Sequence, residues 1–218
     1  MENHIKSTEL MGKLFGKEER AAEIIEWYKK HMNRVNEGVE KALKSNDRPN
    51  VYIECASKGK DELGNSYANN NMWGAMVYNV GGTSIAEGKV TKRGPLEKEF
   101  VLASNPDIIL FTGSIWEGAE GYARMGFAAT KEDSTARIKN ILSRDGWENL
   151  NAVKNNRVYS VHHALGRELY DCASFEALAK FIWPDEFKDV DPEATLKEYY
   201  EKYLPFTYGG LWFLHYGE

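Results

Sequence analysis

The stretch GPLEKEFVLASNPDIILF spans residues 94–111 and holds a helix, a turn and a strand in succession. Val101 and Leu102 supply the buried side of a helical turn. Asn105-Pro106-Asp107 stops that helix, because a residue before proline is pushed out of the αR region and the ring cannot continue the ladder of amide donors. Residues 108–111 are apolar throughout. Such a run suits a strand buried on both faces, as in parallel sheets. A helix feeding that strand through a tight turn is an α/β unit.

Working outward, the same alternation recurs. Before it lie a short helix over residues 7–15, a break at Gly16 and a long helix over residues 17–44. The long helix carries Ala21, Ile25, Tyr28, Met32, Val35, Val39 and Leu43 at spacings of three and four, a stripe built for burial. Residues 51–56 read as a first strand, and residues 57–71 as a long polar loop of the kind that often carries function. Residues 72–80 form a helix closed by Gly81-Gly82; residues 108–111 and 157–161 are the second and third strands. Helices follow at 135–142, 148–154, 175–183 and 192–203, the last with proline in its first turn. The tail from Pro205 is aromatic and glycine-rich. The expectation is an α/β fold: a parallel sheet covered by helices, a Rossmann-like lobe preceded by a long linker helix.

Composition narrows the function. The chain has 218 residues, 42% hydrophobic and 28% charged, with a net charge of -5 and no basic stripe. That speaks against nucleic-acid binding. No stretch approaches the ~18 apolar residues of a membrane span. The N-terminus, Met1-Glu2-Asn3-His4-Ile5-Lys6, has no apolar signal core, which by itself predicts a cytosolic chain, or a mature or truncated one. Cys55 and Cys172 are too few for a disulfide scaffold and read as buried thiols; a bridge would need their Cα atoms within about 7 Å.

In open α/β sheets ligands bind beyond the carboxyl ends of the strands. That rule selects Ser57, Lys58 and Gly59 after the first strand, Thr112 to Ser114 and Trp116 after the second, and His162, His163, Arg167 and Tyr170 after the third. Adjacent histidines at a strand end point to opposite sides, so one faces the rim, and we read His162 as that one. No Cys or His at helical spacing adds ligands for a metal centre. Ser57 and Ser114 lack a Gly-x-Ser-x-Gly elbow, which weakens a hydrolase reading. Lys58, Arg167 and Tyr170 suit carboxylate, catecholate or oxyanion groups through charge-assisted hydrogen bonds. Trp116 and Trp73 are candidates to stack on a flat ligand, with core packing the alternative for each. The expected ligand set is therefore Lys58, Trp116, His162, Arg167 and Tyr170. Gly81-Gly82-Thr83 lacks both phosphate-loop patterns and follows a helix, so it reads as a helix cap.

The chain also resembles a family. Leu10-Met11-Gly12-Lys13-Leu14-Phe15-Gly16-Lys17-Glu18-Glu19-Arg20-Ala21, Arg48-Pro49-Asn50-Val51, Gly81-Gly82, Glu97 to Leu102 with Asn105-Pro106-Asp107, and Val153-Lys154-Asn155-Asn156-Arg157-Val158-Tyr159 stand in order. Ala179-Lys180 with Pro184-Asp185-Glu186-Phe187 completes the series, and Glu97 departs from the usual serine. This series resembles the linker helix and C-terminal lobe of ABC-importer substrate-binding proteins for ferric siderophores, haem and vitamin B12. The resemblance implies a linker region at residues 1–46, a ligand-binding lobe at 47–218, and an N-terminal lobe absent from the chain. It implies a non-enzymatic, extracytoplasmic protein without a cofactor. Its ligand would be a metal chelate, a ferric siderophore before haem, a corrinoid or an oxyanion. Its partners would be a membrane ABC permease and the N-terminal lobe, and Glu99 would dock on permease arginines, where local sequence alone reads a solvated helix acid. Two alternatives stay open: a small cytosolic α/β enzyme acting on a phosphorylated or carboxylated substrate through His162, His163 and Arg167, and a stand-alone interaction module.

Overall fold

The structure, a computed structural model, describes residues 2–116 and 121–218. Two helices come first. α1 (Glu2–Phe15) ends at Gly16, whose φ of +60° turns the chain back, and α2 (Glu18–Leu43) runs unbroken for 26 residues, roughly 39 Å at 1.5 Å per residue. The expected stripe is buried from Ala21 to Val39, with Leu43 half-buried. Trp27, His31 and Ala42 widen it. α1 folds back on α2 so closely that a Cβ on Gly12 would lie 2.6 Å from that of Ala21.

Next come β1 (Asn50–Cys55), β2 (Ser66–Tyr67), α3 (Met72–Asn79), β3 (Thr83–Ser84), β4 (Arg93–Gly94), α4 (Lys98–Ser104) and β5 (Ile108–Gly113). They are followed by α5 (Lys131–Leu142), α6 (Asn151–Lys154), β6 (Val158–His162), α7 (Cys172–Ile182), α8 (Pro192–Tyr203) and β7 (Phe213–His215). Short 3-10 turns occupy Trp147–Asn149 and His163–Arg167.

The main sheet has the order β3-β1-β5-β6-β7. β3, β1, β5 and β6 are parallel; β7 is antiparallel to β6. The three expected strands are thus parallel neighbours. The aromatic tail contributes a fifth strand that no periodicity announced, and the polar loop after β1 carries β2, which pairs with β4. Side chains alternate between two cores. Val51, Ile53, Leu110, Tyr159 and Val161 face α2, α3, α7 and α8, while Tyr52, Ile109, Phe111 and Val158 face α4, α5 and Trp147. β5 is buried at every position, as residues 108–111 required.

The Asn-Pro-Asp turn is a structural bolt. Asn105 takes the left-handed conformation (φ +41°) as the cap of α4, and its Oδ1 accepts from the Asn151 amide at 2.8 Å. Asp107 Oδ2 accepts from the Asn50 amide at 2.9 Å, tying the start of β5 to β1. α5 and α7 begin earlier than the periodicity suggested. Thr130 caps α5 by accepting from the Asp133 amide, and a small, apolar run from Cys172 carries α7 back toward Asp171. Both cysteines are free.

Polar groups join α1 and α2 to α7. Asp171 accepts from the Tyr28 hydroxyl at 2.9 Å and lies 3.1 Å from His4, bringing α1, α2 and α7 together. His31 Nδ1 is 2.8 Å from the fully buried Glu176, which Arg34 also meets. On the other side of α1, Leu10, Met11, Leu14 and Phe15 are exposed, the last two at 67% each. An apolar hollow of about 390 Å³ lies between Met11, Phe15, Ile24 and Leu169.

Candidate functional site

The parallel register levels the strand ends: Cys55 pairs with Thr112, and Gly113 with His162. Loops leaving β1, β5 and β6 therefore meet on one rim. His163, the first residue of the 3-10 turn after β6, places Nδ1 2.8 Å from Thr112 Oγ1. Its ring lies 6.1 Å from Trp116 and 6.5 Å from Trp73. Burial pulls the imidazole down to about 4, and the charges of Arg167 and Arg93 add to that. It is neutral at pH 7.

Two guanidiniums converge here. Arg167 ends the 3-10 turn and Arg93 opens β4; both are exposed, and both act on His163 and on Tyr67. Neither pairs with an acid among the described residues. Trp116 is half-buried and packs edge-on to Tyr122, 5.6 Å away. Tyr67 on β2 is held by burial and by Cys55, which push its hydroxyl far up in pKa.

The loop after β1 is clamped from beneath. Glu54, fully buried, takes two bonds from the Arg144 guanidinium (2.6 and 2.9 Å), one from the Tyr52 hydroxyl (2.9 Å) and one from the Gly64 amide (2.9 Å). Arg144 also donates to the carbonyls of Gly59, Lys60 (3.1 Å) and Glu62 (3.0 Å), and stacks on Trp147. One buried ion pair thus fixes residues 59–64. Lys58 on this loop is exposed and lies 3.5 Å from Glu62.

Two of the expected ligand residues, and Trp73, stand apart from this group. His162 is not the histidine beside Trp116 and Arg167. Consecutive strand residues point to opposite faces, and the one that joins that group is His163. His162 sits 3.5 Å from Ser114 Oγ and edge-on to Trp212 at 4.9 Å, with Gly126 close against its ring. Burial lowers it too, to about 4. Tyr170 packs at a tilt against Tyr199 (4.9 Å) and Tyr200 (5.7 Å) and lines a separate pocket with Phe127, Glu168 and Phe206. Trp73 is fully buried beneath His163 and is core, not a stacking surface. Arg93 carries no signal in the sequence, because it opens a strand of two residues, too short to show a period. Ser114 and His162 approach a nucleophile–base pair, but His162 Nδ1 is buried with no partner among the described residues, so no acid orients the ring. Among the described residues no three His, Cys, Asp or Glu side chains gather to hold a metal ion, and no helix is long and apolar enough to cross a membrane.

Glu99 lies in the first turn of α4 and is exposed. β4 ends three residues before Glu97 and pairs with β2, whose approach is bonded to the carboxyl end of β1 through the Cys55 amide and the Asn65 carbonyl. Glu99 therefore stands at the same end of the sheet as the rim, on its β1 flank.

A family model described as periplasmic binding protein matches residues 2–165. The chain belongs to the periplasmic binding protein family. Within that family it is similar to the TroA-like periplasmic binding protein FepB of Veillonella parvula, whose crystal structure superposes with a TM-score of 0.93 at 48% identity, over 98% of this chain and 61% of that one. It is 26% identical over 194 residues to the uncharacterized ABC transporter substrate-binding lipoprotein YvrC of Bacillus subtilis, covering 84% of this chain and 51% of YvrC. It is 23% identical over 148 residues to the molybdate-binding protein MolA of Haemophilus influenzae, 66% of this chain and 37% of MolA, whose molybdate-bound structure gives a TM-score of 0.66. The chain thus spans between about a third and two thirds of the length of these relatives.

Proposed function

We propose that this chain is the linker helix and C-terminal lobe of an extracytoplasmic ABC-importer binding protein, and that its rim receives an anionic metal chelate, a ferric siderophore in the first instance. The observation that carries the ligand class is the pair Arg93 and Arg167, unpaired with acids among the described residues, whose charges both reach neutral His163, itself 6.1 Å from Trp116. Guanidinium forks bind catecholate or carboxylate oxygens bidentately, and an uncharged imidazole nitrogen is a good donor to a metal with an open position. Among the described residues His162 Nδ1 meets no acid, which a catalytic base would need for orientation. YvrC's description as a transporter lipoprotein supports the import role and the extracytoplasmic location. MolA's molybdate keeps a plain oxyanion as a second reading, since the same two arginines suit it.

The bare face of α1 supports the missing-lobe reading, because contiguous apolar patches are uncommon on monomers. An N-terminal lobe would cover it and close the cleft from above. Ligand binding would then shift an open–closed population, with a helical linker limiting the hinge. Glu99 would present its charge to the permease.

Titration of the chain with ferric catecholate, ferric hydroxamate, haem, cobalamin and molybdate, read by calorimetry, tests the ligand class. Replacing Arg167 or Arg93 with Ala should weaken the preferred ligand by roughly 10- to 100-fold, the worth of a charge-assisted bond. Unchanged affinity in both variants removes the arginine pair from the site. Binding by none of the five overturns the ligand class.

A further inference from the structure

Beside the rim lies a second pocket, about 610 Å³, to which the chelate reading assigns nothing. Its walls come from three separate segments. Phe127 follows Gly126, which is bridged to Leu211 by reciprocal amide–carbonyl bonds of 2.7 and 3.1 Å. Glu168 and Tyr170 come from the approach to α7, and Phe206 from the tail after α8. Tyr200 forms the floor, its ring 5.8 Å from Phe127 and 5.7 Å from Tyr170. Phe127 and Phe206 are 56% and 65% exposed, so two aromatic side chains stand bare in a held framework. No lysine or arginine lines the pocket, and Glu168 has no cationic partner among the described residues. Burial raises the hydroxyls of Tyr170, Tyr199 and Tyr200, and the charge of Glu168 adds a little to each.

We propose that this pocket binds an organic cation, an alkylated or quaternary ammonium group, held by the aromatic side chains of Phe127, Tyr170 and Phe206 and by the carboxylate of Glu168. Aromatic walls favour a ligand with an apolar skin, and their faces attract positive charge. A single unpaired carboxylate asks for one positive charge. An alkylammonium group satisfies both; an anion would meet Glu168 as repulsion, and a small hydrated metal ion would gain nothing from phenyl rings. The site does not depend on the arginine rim, and the two can fail separately.

Choline and its uncharged isostere 3,3-dimethyl-1-butanol are the probes, titrated into the whole chain by calorimetry and by aromatic proton shifts. Choline should saturate with a Kd of about 1 mM or tighter, and the isostere should bind at least about tenfold more weakly. Glu168→Gln should cost choline about tenfold and leave the isostere unchanged. Phe206→Ala should weaken both, and Arg167→Ala neither. No saturation by about 10 mM choline overturns the proposal. Equal binding of choline and the isostere, or an unaltered choline affinity in Glu168→Gln, also overturns it, since the pocket would then be apolar only.

Discussion

Removing the Arg144 guanidinium would leave the Glu54 carboxylate buried with only the Tyr52 hydroxyl and the Gly64 amide as partners. Breaking a buried pair from one side costs about 3–5 kcal/mol, because an uncompensated charge stays behind. Arg144→Met should therefore lose about that much in urea denaturation, and Glu54→Leu combined with Arg144→Met should lose less than the two single losses added. Strict additivity would mean that the pair does not act as a unit. At this scale the sequence was only partly legible. It marked the histidine pair and Arg167, because strand ends are visible as the ends of apolar runs. It pointed to His162, but which histidine lies beside Trp116 depends on where the strand stops, and a shift of one residue gives that place to His163. Arg93 was hidden for a related reason: two-residue strands have no period, and its place on the rim comes from pairing with β2.

Helices were read best where chemistry punctuates them. α8 begins at Pro192 and ends at Tyr203 as expected, because Asp191 caps it and proline suits its first turn. α2 was legible from its stripe alone. β7 was not, since Phe213-Leu214-His215 alternates too briefly to count and its partner lies far back in the chain. α4 carries the prediction proper to an element. Its first turn offers Glu99 to solvent on the flank of the rim, without touching His163 or Arg167 in any bond of the structure. In the whole importer, Glu99→Ala should slow association with the permease and lower uptake while leaving ligand affinity intact, because a rim charge acts mainly on encounter. Normal uptake, or a loss of ligand affinity in the same variant, would end the docking role.

The whole molecule responds to acid through its histidines. His162 and His163 both titrate at about 4 when folded, against about 6.5 when free. Above 6.5 the folded and unfolded chains hold the same protons at these sites. As pH falls from 6.5 toward 4 the unfolded chain takes up protons that the folded chain refuses, so stability declines through that window. His4 works the other way. Asp171 raises it, so its contribution is present below 6.5 and is lost as pH rises through its raised value. The pair outweighs the single residue, so the urea midpoint should fall between pH 6.5 and 4, less steeply in His162→Asn/His163→Gln; identical slopes would refute the assignment. The α/β lobe with its linker helix was legible at this scale, because alternating elements leave few topologies. Which surfaces stand bare and where the loops meet was not legible, because that rests on how α1 folds back on α2 and on the levelled ends of three strands.

The clamp beneath the rim has a consequence for synthesis. Glu54 and Arg144 are 90 residues apart, so the ribosome delivers the carboxylate long before its partner. At about 5–20 residues per second the interval is roughly 5–20 s. Until Arg144 emerges, the strand carrying Glu54 bears a charge that opposes burial, and the segment with Lys58 and Lys60 has no anchor. A nascent chain would therefore be cut by trypsin at those lysines up to the moment Arg144 has emerged, and resist it afterwards.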